Sequence, residues 1–217
     1  GHILGSAQVL IEADGERIVI SGDYKTEADS TTTPYEPVRC HTFVTECTFG
    51  LPIYRWPAPE IVQQEIADWW RSNQEQGICS ILLGYALGKA QRALACLDES
   101  QGPILAHGAV HRFNELYRDR GVHLPPAPRV SDLPRDFDFS RSLVLAPPGA
   151  QATTWRRRFG HSSTAFLSGW MAIRGARRRR AVDRGFVLSD HVDWSSMLAA
   201  VAETGAEKIF ATHGYTA

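Results

Sequence analysis

Runs of apolar side chains rich in β-branched residues fill 7–13 and 17–21 and predict two short strands. Asp14-Gly15 between them suits the positive φ of a tight turn, so the two runs read as an antiparallel hairpin. A turn-rich stretch over 26–37 leads to Thr42-Phe43-Val44-Thr45, a short strand whose carboxyl end delivers Glu46. From Pro59 the period changes. Ile61, Ile66, Trp69 and Trp70 recur at helical spacing and predict an amphipathic helix to Gln76, stopped by Gly77.

Beyond Gly77 the two periods alternate. Strand 78–83 runs through the turn Gly84-Tyr85-Ala86-Leu87-Gly88-Lys89 into a helix ending at Leu97. Strand 103–106, helix 112–120, a Pro-rich loop, strand 142–146 and helix 153–158 follow. The last third reads as strand 164–168, a basic turn over 177–180, strand 185–189, helix 194–203 and strand 208–212. Strands alternating with helices predict an α/β class, with a parallel sheet covered on both faces. The expected organisation is a first domain over 1–50, an inserted α/β unit over 51–174, and a return to the first domain over 175–217.

Composition narrows the class rather than the chemistry. The chain has 217 residues, 43% apolar and 22% charged, which suits a globular fold with a proper core. Lys and Arg number 23 against 24 Asp and Glu, so any polyanionic partner has to be met by local patches. Four cysteines without a CxxC pair suit reduced thiols in a cytoplasmic protein better than a disulfide or zinc-knuckle framework. No apolar run approaches the roughly 20 residues of a membrane span, so no membrane partner is expected. The chain opens at Gly1-His2 and closes at Tyr215-Thr216-Ala217, and both ends read as cut.

Three metal-capable side chains fall at predicted strand ends or beside glycines: His2, Asp23 and His213. Zinc takes neutral imidazole nitrogen or carboxylate oxygen, and a carboxylate can bridge two ions, so two His and one Asp form a suitable set. Glu46 and His191 sit at similar positions, and a carboxylate can orient an imidazole that hands a proton to a departing alkoxide. Residue type alone leaves other readings open. An isolated His is more often an ordinary hydrogen-bonded residue, an Asp after Gly a turn former, and Glu46 or Asp190 a cap.

All five places occur in chain order as in the β-CASP metallo-β-lactamase nucleases, which the chain resembles over essentially its whole length. His2 in GHILGSAQ resembles the family's third metal motif and Asp23 in SGDYK its fourth. Glu46 in TECTFG, His191 in SDHVDW and His213 in THG resemble the three β-CASP motifs. GHILGSAQ, SGDYKTEAD and TFGLPIYRW are most similar to the family's bacterial exonucleases associated with a DNA ligase and helicase. The resemblance implies a partial metallo-β-lactamase αββα sandwich with an inserted β-CASP domain. It also implies two zinc ions, or manganese in their place, with Asp23 bridging, His2 completing one site and His213 the other. His191, held by Glu46, would serve the leaving oxygen. The family's His-x-His-x-Asp-His motif is absent from these residues, so the chain is expected to be a fragment that binds zinc weakly or not at all and is inactive alone.

The activity implied for the intact protein is metal-dependent phosphodiester hydrolysis, as a DNA exonuclease in repair acting on single-stranded DNA. The alternatives are an RNA-processing ribonuclease of the ribonuclease J or mRNA 3′-end type, and a catalytically silent nucleic-acid-binding subunit. Lys25, Arg55 with Trp56, and Lys89 are expected at the substrate, since basic side chains meet phosphates and aromatic faces stack bases. Arg177-Arg178-Arg179-Arg180 reads more readily as a solvated loop than as a phosphate contact. Trp69, Trp70 and Trp155 read as packing residues, and His107, His111, His123 and His161 are assigned no role.

Overall fold

Strands β1 (Val9–Ala13) and β2 (Glu16–Ile20) pair antiparallel, Val9 opposite Ile20 and Ala13 opposite Glu16. Asp14 and Gly15 turn between them with φ of 50° and 82°, the left-handed values such a hairpin needs. β3 (Thr42–Glu46) joins β2 in parallel, and β9 (Lys208–Thr212) joins β3 in parallel, giving the sheet order β1-β2-β3-β9. Because β2, β3 and β9 run the same way, their carboxyl ends share one edge. That edge receives Ser21-Gly22-Asp23, Glu46-Cys47 and His213.

One face of this sheet is covered. Val19 and Phe43 are fully buried, and with Cys40 they pack against Val38, Val201 and Ala206. Val201 belongs to α5 (Trp194–Thr204), whose Met197 and Ala200 cluster with Tyr24 and Val192. Alternation sends the neighbouring residues to the other face, where Val9, Ile20, Val44 and Phe210 form a row across four strands.

The computed structural model describes residues 1–152, 154–179 and 181–214. The chain divides into two compact units, Gly1–Trp56 with Ser189–Ala217, and Pro57–Leu188. The second is a parallel sheet in the order β5-β6-β4-β7-β8, formed by β4 (Cys79–Leu83), β5 (Ile104–Ala106), β6 (Leu143–Ala146), β7 (Ser162–Leu167) and β8 (Arg184–Phe186). Central β4 is buried throughout. Cys79, Ile81 and Leu83 join a cluster with Phe139, Phe159 and Met171, while the Ser80 hydroxyl accepts from Asn73 Nδ2 at 2.8 Å. Asn73 lies on α1 (Pro59–Glu75), and α2 (Lys89–Ala95) and α3 (Gly108–Asp119) complete the crossovers.

The differences from the sequence reading have local causes. α3 starts at Gly108, four residues before Arg112, because the His107 side chain caps it by accepting from Ala109 N at 3.1 Å. The helix expected over 153–158 is a 3-10 helix at Thr154–Phe159, with Thr153 outside the described residues. The basic turn is in part a helix, α4 (Arg174–Arg179), and Arg180 lies outside the described residues. β8 pairs with β7, so it belongs to the second unit, which begins at Pro57 and ends at Leu188.

Candidate metal centre

Gly1 brings the chain close enough to place His2. A Cβ on Gly1 would stand 2.6 Å from the Lys25 carbonyl oxygen, so only glycine fits there. Lys25, 2% exposed, reaches back to this segment: its Nζ donates to the Gly1 carbonyl at 2.5 Å, the His2 carbonyl at 3.1 Å and Thr32 Oγ1 at 3.0 Å. Asp29 completes its surroundings with an ion pair at 2.8 Å. The following loop is tied by Ser6, whose hydroxyl donates to the Ile3 carbonyl and accepts from His2 N.

The His2 ring is held by a group that can only accept. Nδ1 stands 2.7 Å from the Asp190 carbonyl oxygen and donates to it, which leaves Nε2 as the ring nitrogen available to a ligand. Nε2 faces Asp23 Oδ2 at 3.8 Å. His191 is set in the same manner, with Nδ1 2.9 Å from Glu46 Oε2, which leaves Nε2 outward. The Glu46 side chain is fully buried, and its other oxygen accepts from Tyr24 N at 2.8 Å. The two imidazole centroids are 4.6 Å apart.

His2, Asp23 and His191 each offer a ligand atom, and these atoms lie within 4.8 Å of one another. Ligands of a tetrahedral zinc at bonds of about 2.0–2.1 Å stand roughly 3.3 Å apart, so small side-chain movements would bring the three onto one cation. Two neutral imidazole nitrogens and a carboxylate are a donor set that zinc or manganese accepts, and the residues fit a metal. Among the described residues His213 stands outside this group. It is exposed at the end of β9, at φ 56°, its Nδ1 3.2 Å from Thr212 Oγ1. The geometry thus gathers His191, rather than His213, with His2 and Asp23.

Two of the expected substrate contacts are enclosed by packing. Lys25 is buried with its ammonium engaged by Gly1, His2, Thr32 and Asp29, so it holds the His2 segment in place. Lys89 is 4% exposed, and its Nζ donates to the Leu188 carbonyl at 3.3 Å inside the second unit. Arg55 is exposed. Trp56, expected to stack bases, instead donates its indole N–H to the His191 carbonyl at 2.8 Å and its backbone N–H to Asp193 Oδ2 at 3.0 Å.

Asp193 and Tyr24 are supporting residues that sequence reasoning missed, and Trp56 is one that it read only as a substrate contact. Tyr24 ties the Asp23 loop to the His191 loop, because Val192 N donates to the Tyr24 carbonyl at 2.7 Å. Its phenol is pushed up to about 12 by burial, with the Glu46 charge adding to it against the Thr45 hydrogen bond. For Asp193 a signal was available: it precedes a helix by one residue, the position of an N-cap.

The α/β fold thus gathers His2, Asp23 and His191, each imidazole held at Nδ1 by an oxygen, in an arrangement that could hold a metal ion. No family model matches the chain. A protein of Opitutus terrae named "Probable DNA ligase" is 32% identical over 99% of this chain and 21% of its own length. "Endoribonuclease YSH1" of Yarrowia lipolytica is 31% identical over 54% of the chain and 14% of its own length. A solved structure of a protein of unknown function from Enterococcus faecalis V583 covers 95% of the chain with a TM-score of 0.58 at 10% identity, a likeness of fold alone. The two curated relatives are β-CASP metallo-β-lactamase family members, and the chain is similar to the first over 99% of its length. It spans about a fifth or less of the length of these two relatives.

Proposed function

We propose that this chain carries part of the active site of a metal-dependent nuclease that hydrolyses phosphodiester bonds, with DNA as substrate. The observation that carries the reading is the convergence of His2, Asp23 and His191 within 4.8 Å, both imidazoles turned by hydrogen bonds so that Nε2 is free. His2 Nε2 and the Asp23 carboxylate would hold the cation, and His213, exposed at the same sheet edge, is the candidate to complete a second ion's shell. When bound, the metal supplies Lewis acidity toward a phosphoryl oxygen and water ionised near neutral pH. His191 Nδ1 is held by Glu46; in this reading its Nε2 stays off the cation and, carrying a proton, donates to the leaving oxygen. Arg55, exposed just after the TFGLPIY segment, is the remaining candidate for a substrate phosphate.

The DNA reading is supported by the "Probable DNA ligase" relative, which matches 99% of the chain, whereas the endoribonuclease-named relative matches 54%. On this reading the intact protein works with a DNA ligase and helicase in repair, and the ligase-named relative supports the ligase association. An RNA-processing role is the second reading, favoured by that endoribonuclease name. The test has two parts. Calorimetry of the complete gene product with zinc and with manganese should show binding that Asp23→Asn weakens, while Glu46→Gln weakens it or the activity by about 10–100-fold. The complete gene product should degrade labelled single-stranded DNA faster than matched RNA. Exclusive cleavage of RNA would overturn the DNA assignment, and absence of cleavage of both would overturn the nuclease.

A further inference from the structure

Residues 174–184 carry six arginines, at 174, 177, 178, 179, 180 and 184, against a single acid, Asp183. Nothing in the proposed metal site uses them. On α4, Arg174 and Arg178 are four residues apart, the spacing at which like charges face each other and weaken a helix. Asp183 does not offset this charge freely, because its Oδ2 accepts from Thr164 N at 2.7 Å and Thr164 Oγ1 at 3.0 Å. β8 is the outer strand of its sheet, pairing with β7 alone. Beside it lies a cavity of about 450 Å³ lined by Arg178, Val182, Asp183, Arg184 and Gly185. That volume falls in the range of about 300–1,000 Å³ typical of ligand sites.

A solvated basic loop would leave its guanidiniums dispersed in water. Here two of them border one concavity, and Arg184 is preset by lying over the Phe186 ring, 5.3 Å from its centroid. Guanidinium forks match phosphate oxygens in shape and charge, and bound phosphates would relieve the repulsion along α4. We propose that Arg178 and Arg184 form a binding site for the phosphodiester backbone of a single-stranded nucleic acid, made by the second unit alone. The proposal rests on the nuclease reading for the identity of its ligand, and on the cavity for its place.

Fluorescence anisotropy of a labelled single-stranded oligonucleotide, with metal chelated so that nothing is cut, tests it on the full chain over a series of salt concentrations. Arg178→Glu with Arg184→Glu should weaken binding about tenfold or more. The slope of log affinity against log salt should become shallower by about 1.4, since each single-strand phosphate contact contributes about 0.7. Arg178→Gln with Arg184→Gln should move both quantities in the same direction by less, and circular dichroism of each variant confirms the fold. Unchanged affinity and slope in variants that fold would overturn the proposal, as would absence of oligonucleotide binding by the parent chain. Asp23→Asn separates the two readings: it should weaken metal binding by the complete gene product while leaving the anisotropy curve of the chain in place.

Discussion

At the scale of single residues, Lys25 and Asp29 show how much of this site is scaffolding. The Lys25 ammonium gathers two backbone carbonyls of the His2 segment, a threonine and Asp29, and Asp29 Oδ1 accepts from both Thr31 N and Thr31 Oγ1. Burial on its own raises the Asp29 carboxyl, but the Lys25 hydrogen bond and charge and the two Thr31 bonds outweigh it and hold it below the usual range. A carboxyl depressed in the folded state contributes stability that is present above its unfolded value of about 3.9 and is lost as pH falls through the folded value. Asp29→Asn should therefore cost about 3 kcal/mol near neutral pH, the typical cost of leaving one member of a buried pair alone, and much less in acid. Denaturant titrations at neutral and acid pH measure this. An equal loss at both would show that the ion pair is not the source of the stability.

At the scale of elements, the alternating strands and helices were legible because buried parallel strands are short apolar runs; β4, in which every residue is buried, is the plainest instance. The places of Asp23, Glu46 and His213 at one sheet edge follow from strand ends that sequence also marks. What pattern could not supply were contacts between distant segments. The bond from His2 to the Asp190 carbonyl spans 188 positions, and no periodicity announces it. Lysines are exposed by default, so Lys25 and Lys89 read as ligands for phosphate until tertiary packing enclosed them. Asp193 joins both lessons. Its Oδ1 caps α5 by accepting from Ser196 N at 2.8 Å, and its Oδ2 holds Trp56, whose indole fastens the His191 carbonyl. Asp193→Ala should lower stability by about 1–2 kcal/mol, and Asp193→Asn by less. Because Trp56 is released too, metal affinity should fall with the cap, which calorimetry reads directly. If stability dropped with metal affinity unchanged, Asp193 would be a helix cap and nothing more.

At the scale of the whole molecule, the first sheet presents two faces of unequal fate. One is closed by α5, with Val19 and Phe43 at zero exposure. The other carries Val9 at 53% and Phe210 at 57% exposure, joined across the strands by Ile20 and Val44, with Ile11 and Ile18 in the adjoining row. Scattered surface apolar residues need no account, but a contiguous patch on a sheet does, since a sheet with one closed face and one apolar open face is half of a sandwich. The sheet thus has the form expected of a partial metallo-β-lactamase fold. The chain by itself should bind a hydrophobic dye such as anilinonaphthalene sulfonate and self-associate as concentration rises. Ile20→Lys combined with Phe210→Glu should suppress both without lowering the thermal midpoint, because neither side chain belongs to the buried cluster under α5. Analytical ultracentrifugation and dye fluorescence of the parent and the variant decide it. A monomeric parent that binds no dye would mean that this face is stable in water, and the half-sandwich account of the sheet would be wrong.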